Sequence, residues 1–489
     1  MTLKNEVLSL GTARAIDYGI QFLLPVVLAR VFSPADYAQY RLLWLLVNTS
    51  IIFTTFYVPQ SLFFFLPKSQ TSEERGHHIG NTLAFLATTG LAAAVLINPW
   101  WPVIPEWFVP HHEGRWVAPV LVILWTLAQA LDTLPNAEGR IHWVSAATIG
   151  LSVVRAVILA GLAWWYQDMQ ILFLGLLLYA GIKILTLFGY ILYYHSIVRI
   201  RPHLDSLRAQ LAYSLPFGAG AALFVLRQYG DQWIAAYLFP PAMFAFFSIG
   251  AYAGPFLALI RETISNAVLP RLSRLEVEGN RHAVIELFRK SNIHAAFILF
   301  PLLGWFFVFA EDIIEAIFTE TYLMGVPVMR VYVLSYITQT FEVNSLFRIY
   351  EGGRYSMYLS LTLIFPAVIM SYIGGRFLGL WGVALGALVI TYIGESLKLR
   401  YVAKRIDVSV SHLIHWRELM LLAICSMLAN CISAVIMNVI DGSIKFILIK
   451  VVLGALCLCC VYFILFYAVR CYDKQIKSIL SLCVNILIK

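Results

Sequence analysis

The chain has 489 residues, of which 60% are hydrophobic and only 13% are charged, and its mean hydropathy is +0.79. In soluble domains about a quarter of all residues are charged, so this composition excludes a soluble globular protein. The apolar residues form continuous stretches of about 20 residues, the length that crosses a bilayer, and they do not alternate as in a transmembrane β-barrel. We therefore expect an all-α, polytopic membrane protein.

The apolar stretches predict about 14 transmembrane helices with little soluble sequence between them. The first stretch contains Arg14 and Asp17 and has no small-residue cleavage site, so we interpret it as a span and not as a signal peptide. In chain order, the predicted spans are 7–31, 37–58, 79–98, 116–135, 144–165, 171–194, 211–238, 242–263, 293–310, 325–346, 356–373, 378–399, 418–440 and 446–468.

The distribution of basic residues predicts the orientation of these spans. Most Lys and Arg residues fall in the loops that lie on one side if the N-terminus is inside, and short basic loops stay in the cytoplasm. We therefore expect cytoplasmic N- and C-termini. The net charge of +8 is explained by this topology and does not indicate a nucleic-acid partner.

Three short sequence matches recur in the same order at a nearly constant spacing of about 200 residues. "FSPADYAQY" at 32–40 matches "FPPAMFAFF" at 239–247, "LPKSQTSEERGHH" matches "LPRLSRLEVEGNRHA", and "NAEGRIHW" matches "YEGGRYSMY". The matches predict two parallel six-helix lobes, related by a pseudo-twofold axis along the membrane normal, plus two appended helices. The predicted division is 1–207, 208–410 and 411–489.

Four longer segments resemble a known family over nearly the whole chain. They are "LARVFSPADYAQY" at 28–40, "VLPRLSRLEVEGNRHAVIELFRKS" at 268–291, "FPLLGWFFVFAEDIIEAIFTETY" at 300–322 and "LGLWGVALGALVITYIGESLKLRYV" at 378–402. The chain is thereby similar to the O-antigen-type (Wzx-like) polysaccharide-unit flippases of the multidrug/oligosaccharidyl-lipid/polysaccharide exporter superfamily.

The resemblance implies a function in the biosynthesis of lipopolysaccharide or another surface polysaccharide. Members of this family move an undecaprenyl-diphosphate-linked oligosaccharide from the cytoplasmic to the periplasmic leaflet, through a central cavity that opens alternately to either face. The resemblance also implies a lipid-linked glycan as cargo, with a polysaccharide polymerase and a chain-length regulator as functional partners. The protein is then expected not to be an enzyme.

Polar residues form stripes along several predicted spans at steps of three and four, which places each stripe on one helix face. A charged side chain at mid-bilayer costs about 2.5–3.5 kcal/mol, so such stripes are expected to face protein or water. The predicted cargo-binding residues are Arg14, Arg155, Lys183, Arg227, Gln21, Asn48, Gln129, Tyr179, Gln228 and Gln339. The predicted ion-coupling or orienting acids are Asp17, Asp231 and Glu342. Arginine suits a diphosphate because its planar donors bind two oxygens at once.

Local explanations of these charges stay open. Arg14 with Asp17, and Arg227 with Asp231, have the spacing of ion pairs within one helix turn. Asp132 lies near a predicted cytoplasmic helix end, where a carboxylate reaches water or caps the helix. Arg155 and Lys183 have no acid within one turn of their own helix, and this favours a functional role.

No phosphate-binding loop of the GxxxxGK[ST] type occurs in the sequence, so ATP hydrolysis is not expected. No cofactor or metal is predicted, and H⁺ or Na⁺ is the expected coupling ion if one is used. The seven cysteines follow residue 424 and are interpreted as small apolar side chains. The alternative functions are an ion-coupled multidrug antiporter of the same superfamily and a membrane-embedded polysaccharide polymerase or ligase.

Overall fold

The computed structural model describes residues 3–98, 100, 114–196, 199–341, 343–350, 353–440 and 447–472. Within these residues the chain forms helices and no strands, which confirms the all-α class. Ten described helices are long and apolar enough to cross a membrane, or eleven if two helices that meet at a 47° bend form one span. Each of the 14 predicted spans coincides with one of the helices below or with two or more consecutive helical pieces.

Two compact units make up the chain, and the first comprises Met1–Ala245. Its helices are α1 (Leu3–Val31), α2 (Pro34–Thr55), α3 (Val58–Phe65), α4 (Ser72–Ile97), α5 (Gly114–Ala137), α6 (Ile141–Tyr166), α7 (Met169–Tyr194) and α8 (Leu204–Leu238).

Side-chain caps fix where several of these helices begin. The Ser33 hydroxyl accepts a hydrogen bond from the backbone N–H of Asp36, and Pro34 occupies the first position of α2. Thr71 caps α4 in the same way, and Asp168 accepts two backbone N–H groups at the start of α7. These residues satisfy N–H groups that have no partner inside the helix, so the helix ends lie at the predicted loops.

Helix α5 lies at the centre of the first unit. It contacts α2, α3, α4, α6 and α7, and it is the most buried of the ten candidate spans. Its position explains why the polar residues on its surface face other helices. Helix α1 packs mainly on α6, so the polar face of the first span is directed into the same unit.

The start of α8 is fastened to α4 by a buried network of amide side chains. The Gln210 amide donates to Ser61 at 3.1 Å and accepts from Asn81 at 3.1 Å. Asn81 also accepts the backbone N–H of His203 at 2.8 Å. Because these contacts hold α8 against α2, α3 and α4, it belongs to the first unit, although the predicted boundary preceded it. The three-part division at 207 and 410 stays a prediction.

The second unit comprises Phe246–Lys489, and the division falls within α9. Its helices are α9 (Pro241–Gly250), α10 (Gly254–Val277), α11 (Arg281–Val308), α12 (Ala310–Ile317), α13 (Val326–Ser335), α14 (Val343–Ile349), α15 (Gly353–Leu378), α16 (Leu380–Ile406), α17 (Val410–Leu413), α18 (Trp416–Ile440) and α19 (Ile447–Tyr472).

Two contacts organise the second unit. Helices α15 and α16 form its most extensive helix pair, and a Cβ atom added at Gly382 would lie 2.0 Å from the carbonyl oxygen of Gly374. The two appended helices, α18 and α19, pack on each other and on α11 and α12. Lys450 on α19 forms an ion pair with Asp312 on α12 at 2.9 Å.

The structure shows traces of the predicted repeat. Helices α2 and α9 each begin at the proline of the matched motif, Pro34 and Pro241. The span that follows each proline is interrupted. After α2, Phe56 and Tyr57 have positive φ values of 42° and 66°, and after α9 a short 3₁₀ turn at Ala251–Ala253 intervenes.

Candidate functional site

The first unit contains a cavity of about 720 Å³, enclosed by α1, α2, α5, α6 and α7. A cavity of this size holds a ligand of drug-like dimensions. The structure brings together eight of the residues that the sequence predicted for the site, and all of them line this cavity. They are Arg14, Asp17, Gln21, Asn48, Gln129, Arg155, Tyr179 and Lys183.

Asp17 is the centre of a hydrogen-bonded group between α1 and α6. Its Oδ1 atom accepts from the Ser152 hydroxyl at 2.5 Å and from Arg155 Nη2 at 3.3 Å. Its Oδ2 atom accepts from the Gln21 amide at 2.7 Å. Among the described residues Arg14 is not a partner of Asp17, so an ion pair between two helices stands in place of the local pair with Arg14 that the spacing left open. Three donors hold this carboxylate, and it in turn orients Arg155.

A second ion pair joins α5 and α7. Lys183 Nζ lies 2.8 Å from Asp132 Oδ2 and 5.1 Å from the ring centroid of Trp125. Lys183 is only 8% exposed, whereas the Asp132 side chain is 52% exposed. The ammonium is thus held in the wall by a carboxylate and an aromatic ring, and the carboxylate still faces the cavity. The sequence did not place Asp132 at the site.

Two arginines of the cavity are left without a counter-ion. Among the described residues, neither Arg14 nor Arg41 makes an ion pair or a hydrogen bond, and Arg41 Nε is buried. Arg14 is exposed, but a buried donor without a partner costs about 1–3 kcal/mol, so the buried Arg41 Nε is prepared for an acceptor from outside. These two guanidinium groups are the strongest binding feature of the site.

The charges of the cavity do not balance. Its lining contains four cationic side chains, Arg14, Arg41, Arg155 and Lys183, and two acidic ones, Asp17 and Asp132. With ordinary ionisation, the lining has a net charge of +2. A surrounding of low dielectric constant increases the electrostatic potential that such a charge produces, so the cavity attracts anions and disfavours cations.

Aromatic side chains form one side of the cavity. The rings of Trp44 and Trp125 meet edge to face at 4.9 Å, and Tyr179 lies 5.8 Å from Trp125. Tyr40 packs at 6.4 Å from Trp44. The sequence predicted Tyr179 but missed the other three. Arg41, Trp44 and Asn48 follow the same helical period as the recognised stripes, and that spacing was the available signal.

A polar cluster closes the end of the cavity at the turn between α5 and α6. Glu138 accepts a very short hydrogen bond from the Tyr190 hydroxyl and lies 3.1 Å from His195 Nε2 and 3.6 Å from Arg140 Nε. Burial alone raises the pKa of Glu138, but the bonds from His195 and Tyr190 outweigh it, so the pKa lies below its usual value. The Tyr190 ring packs at 4.6 Å on Trp143, which lines the cavity.

The remaining predicted site residues lie elsewhere. Arg227, Gln228 and Asp231 belong to α8 and do not line this cavity. Gln339 lies in the second unit, in a 3₁₀ turn after α13. Glu342 is outside the described residues.

The second unit has its own partly buried lysine on the helix that corresponds to α7 in the predicted repeat. Lys398 Nζ on α16 contacts Glu395 Oε1 at 2.8 Å and Asn344 Oδ1 at 3.3 Å. Lys183 and Lys398 thus each bridge to the fourth span of their own half. No group of three or more His, Cys, Asp or Glu side chains in the described ranges has an arrangement that holds a metal ion.

Comparison with known sequences identifies one family. The sequence profile of the family described as "Polysaccharide biosynthesis protein" matches residues 27–327, well over half of the chain. A comparison with curated protein sequences gives no match.

Solved structures share the fold at low sequence identity. The lipid II flippase MurJ, in an inward closed conformation, has a TM-score of 0.67 and 14% identity over 94% of this chain and 98% of that chain. An inward-facing multidrug resistance MATE family transporter of the MOP superfamily has a TM-score of 0.59 and 14% identity, over 79% of this chain and 94% of that chain. The Vibrio cholerae MATE transporter VcmN has a TM-score of 0.52 and 14% identity, over 83% of this chain and 96% of that chain. These similarities confirm the polytopic helical fold.

Proposed function

Because the chain belongs to the polysaccharide biosynthesis protein family, we propose that it flips an undecaprenyl-diphosphate-linked oligosaccharide across the bacterial inner membrane. The cargo is an O-antigen unit or another surface polysaccharide repeat unit. It moves from the cytoplasmic to the periplasmic leaflet by alternating access, without ATP hydrolysis, and both chain termini are cytoplasmic.

One observation carries this proposal: in a cavity with a lining charge of +2, Arg14 and Arg41 have no ion-pair or hydrogen-bond partner within the part of the chain that the structure describes. A diphosphate diester carries two negative charges near neutral pH, so it neutralises the lining. Its oxygens accept hydrogen bonds and donate none, which matches guanidinium groups without acceptors. The fold alone does not supply this argument, because multidrug transporters share it.

The other charged residues have supporting roles in this mechanism. Asp17 holds the Arg155 guanidinium in place through its contact at 3.3 Å, so less side-chain entropy is lost when a phosphate binds. The three donors on Asp17 make it an orienting residue, and an ion-coupling role is not proposed for it. The diphosphate takes its place between Arg14, Arg41 and Arg155.

The size of the cavity suggests which part of the cargo enters it. A volume of about 720 Å³ suits the diphosphate and the sugars next to it, and not the whole prenyl chain. The prenyl chain stays in the lipid, where its burial requires no protein groove. The driving force is proposed to be a gradient of H⁺ or Na⁺, the gradient of the cargo itself, or its consumption by a polymerase and its chain-length regulator.

Transport by the purified full chain in vesicles tests the proposal. The vesicles contain a fluorescent polyprenyl-diphosphate oligosaccharide, and a membrane-impermeant quencher reports how much of it reaches the outer leaflet. We expect the wild type to speed equilibration, and Arg14→Ala and Arg41→Ala to abolish most of this rate at unchanged protein level. Equal rates in protein-free vesicles would reject the flippase function.

The multidrug antiporter is the second candidate, because MATE transporters share the fold. Cationic drugs require a cavity in which acids dominate, whereas the four cationic side chains here outnumber the two acids. Drug efflux by cells that produce the wild type, lost in Asp17→Asn and retained in Arg41→Ala, would favour that function instead.

A further inference from the structure

The arginine donors of the cavity and a row of oxygen acceptors lie on different helices. Helices α1, α2 and α6 contribute the donors Arg14, Arg41 and Arg155. Helix α5 contributes a row of three residues that we call the acceptor stripe: Gln129, Asp132 and Asn136. Their spacing of three and four residues places them on one face of α5, and all three line the cavity.

The amide groups of the stripe present their oxygens to the cavity. Gln129 Nε2 donates to the backbone carbonyl of Trp125 at 3.4 Å, and Asn136 Nδ2 donates to that of Asp132 at 2.8 Å. Each amide nitrogen is thus directed at the helix backbone, an assignment that follows from the hydrogen-bond network. The two amide oxygens have no partner among the described residues. Asp132 adds a half-exposed carboxylate.

Arg155 and Asp132 lie at different depths of the cavity. Arg155 follows the start of α6 at Ile141 by four helical turns, whereas Asp132 precedes the end of α5 at Ala137 by little more than one turn. With a rise of 1.5 Å per residue along helices joined by a short turn, the two levels differ by about 13 Å. This exceeds the reach of one hydrogen bond, so a phosphate group bound at Arg155 cannot also contact Asp132.

The chemistry of the stripe excludes a second phosphate and a cation. Carboxylate and amide oxygens repel phosphate oxygens. A cation is disfavoured because Lys183 already lies 2.8 Å from Asp132. Hydroxyl groups are the ligands that fit, since each O–H donates to such an oxygen and its own oxygen accepts from Lys183 or from water.

We propose that the acceptor stripe is a saccharide subsite, which binds the hydroxyl groups of the sugars next to the diphosphate. The inference rests on the proposed function, because it assumes a cargo in which sugar follows phosphate. It assigns recognition of the phosphate to α1, α2 and α6 and recognition of the glycan to α5. The Trp143 ring, which lines the same level of the cavity, adds an apolar face for the sugar ring.

Binding of two lipids to the full chain tests this assignment. The first probe is bare undecaprenyl diphosphate, and the second is the lipid-linked glycan extracted from membranes of cells that produce the protein. Native mass spectrometry of the purified protein gives the ratio of the two affinities. We expect the wild type to prefer the glycan-bearing lipid.

The variants separate the two ends of the cavity. Gln129→Met and Asn136→Leu each lower affinity for the glycan-bearing lipid about three- to tenfold, while affinity for the bare lipid is kept. Asp132→Asn lowers the ratio of the two affinities about tenfold or more, because it removes an acceptor for sugar hydroxyl groups and a negative charge that disfavours the bare lipid. Arg41→Ala lowers the affinity for both lipids by the same factor, so the ratio of the two affinities is unchanged. Gln170→Met, which replaces an exposed amide in the first turn of α7 and outside the cavity lining, changes neither affinity.

The outcomes distinguish this inference from the proposed function. If the wild type binds neither lipid, the proposed function fails. If the wild type binds both with equal affinity, or if the stripe variants weaken both equally, the saccharide subsite is rejected and the flippase function stands. The two amide variants leave both ion pairs intact, so the test does not depend on the stability of Asp132→Asn.

Discussion

Asp17 Oδ1 lies 3.3 Å from Arg155 Nη2, although 138 residues separate the two in the chain. The pair joins α1 to α6, and both side chains are only partly exposed, at 26% and 11%. The sequence offered Arg14 as the partner of Asp17. In the structure Asp17 instead forms its ion pair with Arg155. Arg14 is thereby available to bind an anion from outside.

The first prediction concerns the coupling of this pair. Asp17→Asn and Arg155→Gln each lower transport, and the double variant is no worse than the poorer single variant, because the two residues act as a unit. In a double-mutant cycle on stability, we expect a coupling of about 0.5–3 kcal/mol. Thermal unfolding in detergent and the vesicle assay measure both effects. Additive losses would show that the contact is not functional.

The second prediction concerns Lys183 and Asp132, whose exposures differ. Removal of Asp132 leaves a buried ammonium without its counter-ion, whereas removal of Lys183 leaves a carboxylate that faces the cavity and is hydrated. We therefore expect Asp132→Asn to destabilise the protein by about 1–3 kcal/mol and Lys183→Met by clearly less. The unfolding temperatures of the two variants show which substitution is more destabilising. A lower unfolding temperature for Lys183→Met than for Asp132→Asn would contradict the prediction.

The third prediction concerns Arg41. Because it makes no ion pair among the described residues, Arg41→Ala is expected to keep the unfolding temperature while transport falls at least about tenfold. Arg41→Lys keeps the charge but not the bidentate geometry and retains an intermediate rate. Arg376→Ala is the matched control, since that arginine lies at the end of α15 in the second unit. A large loss of stability in Arg41→Ala would indicate a structural role.

The fourth prediction concerns pH and Glu138. Burial raises the pKa of Glu138, but the hydrogen bonds from His195 and Tyr190 and the charge of Arg140 outweigh it and hold the pKa in the folded protein below the ordinary value of 4.5. The folded state therefore favours the carboxylate. The resulting stability is present above the ordinary pKa and is lost as the pH falls through the folded pKa.

Unfolding temperatures of the wild type and of Glu138→Gln between about pH 3 and pH 7 test this expectation. The variant is expected to be less stable than the wild type at pH 7. The difference between their unfolding temperatures is expected to narrow below the ordinary pKa of Glu138. A gap that is independent of pH would show that the Glu138 charge does not stabilise the turn between α5 and α6.

The fifth prediction concerns the contact between α15 and α16. A Cβ atom at Gly382 would lie 2.0 Å from the Gly374 carbonyl oxygen, so Gly382→Ala forces the two backbones apart and lowers stability by more than about 1 kcal/mol. Gly150→Ala on α6 is the control, because nothing lies within 4 Å of the added methyl group. There, alanine is expected to stabilise the helix by about 0.5–1 kcal/mol. Similar effects of both substitutions would argue against the close packing.

Hydropathy and motif spacing were sufficient to predict the class of protein and much of its organisation. A run of about 20 apolar residues identifies a helix because the bilayer allows little else, whatever the tertiary contacts are. The prolines at 34 and 241 fix helix starts by a local rule, and they begin α2 and α9. The stripes on α1, α5, α6 and α7 were likewise predictable, since helical periodicity decides which residues share a face.

Partners across helices were decided only by the tertiary structure. The sequence contains Asp17, Arg155, Lys183 and Asp132, but their pairing depends on which helix faces overlap and at what depth. The same fact explains why Arg41 was missed as a site residue, since its place in the cavity wall follows from how α2 packs on α5. Local spacing determines the face of a helix, whereas the free energy of pairing buried charges determines which faces meet.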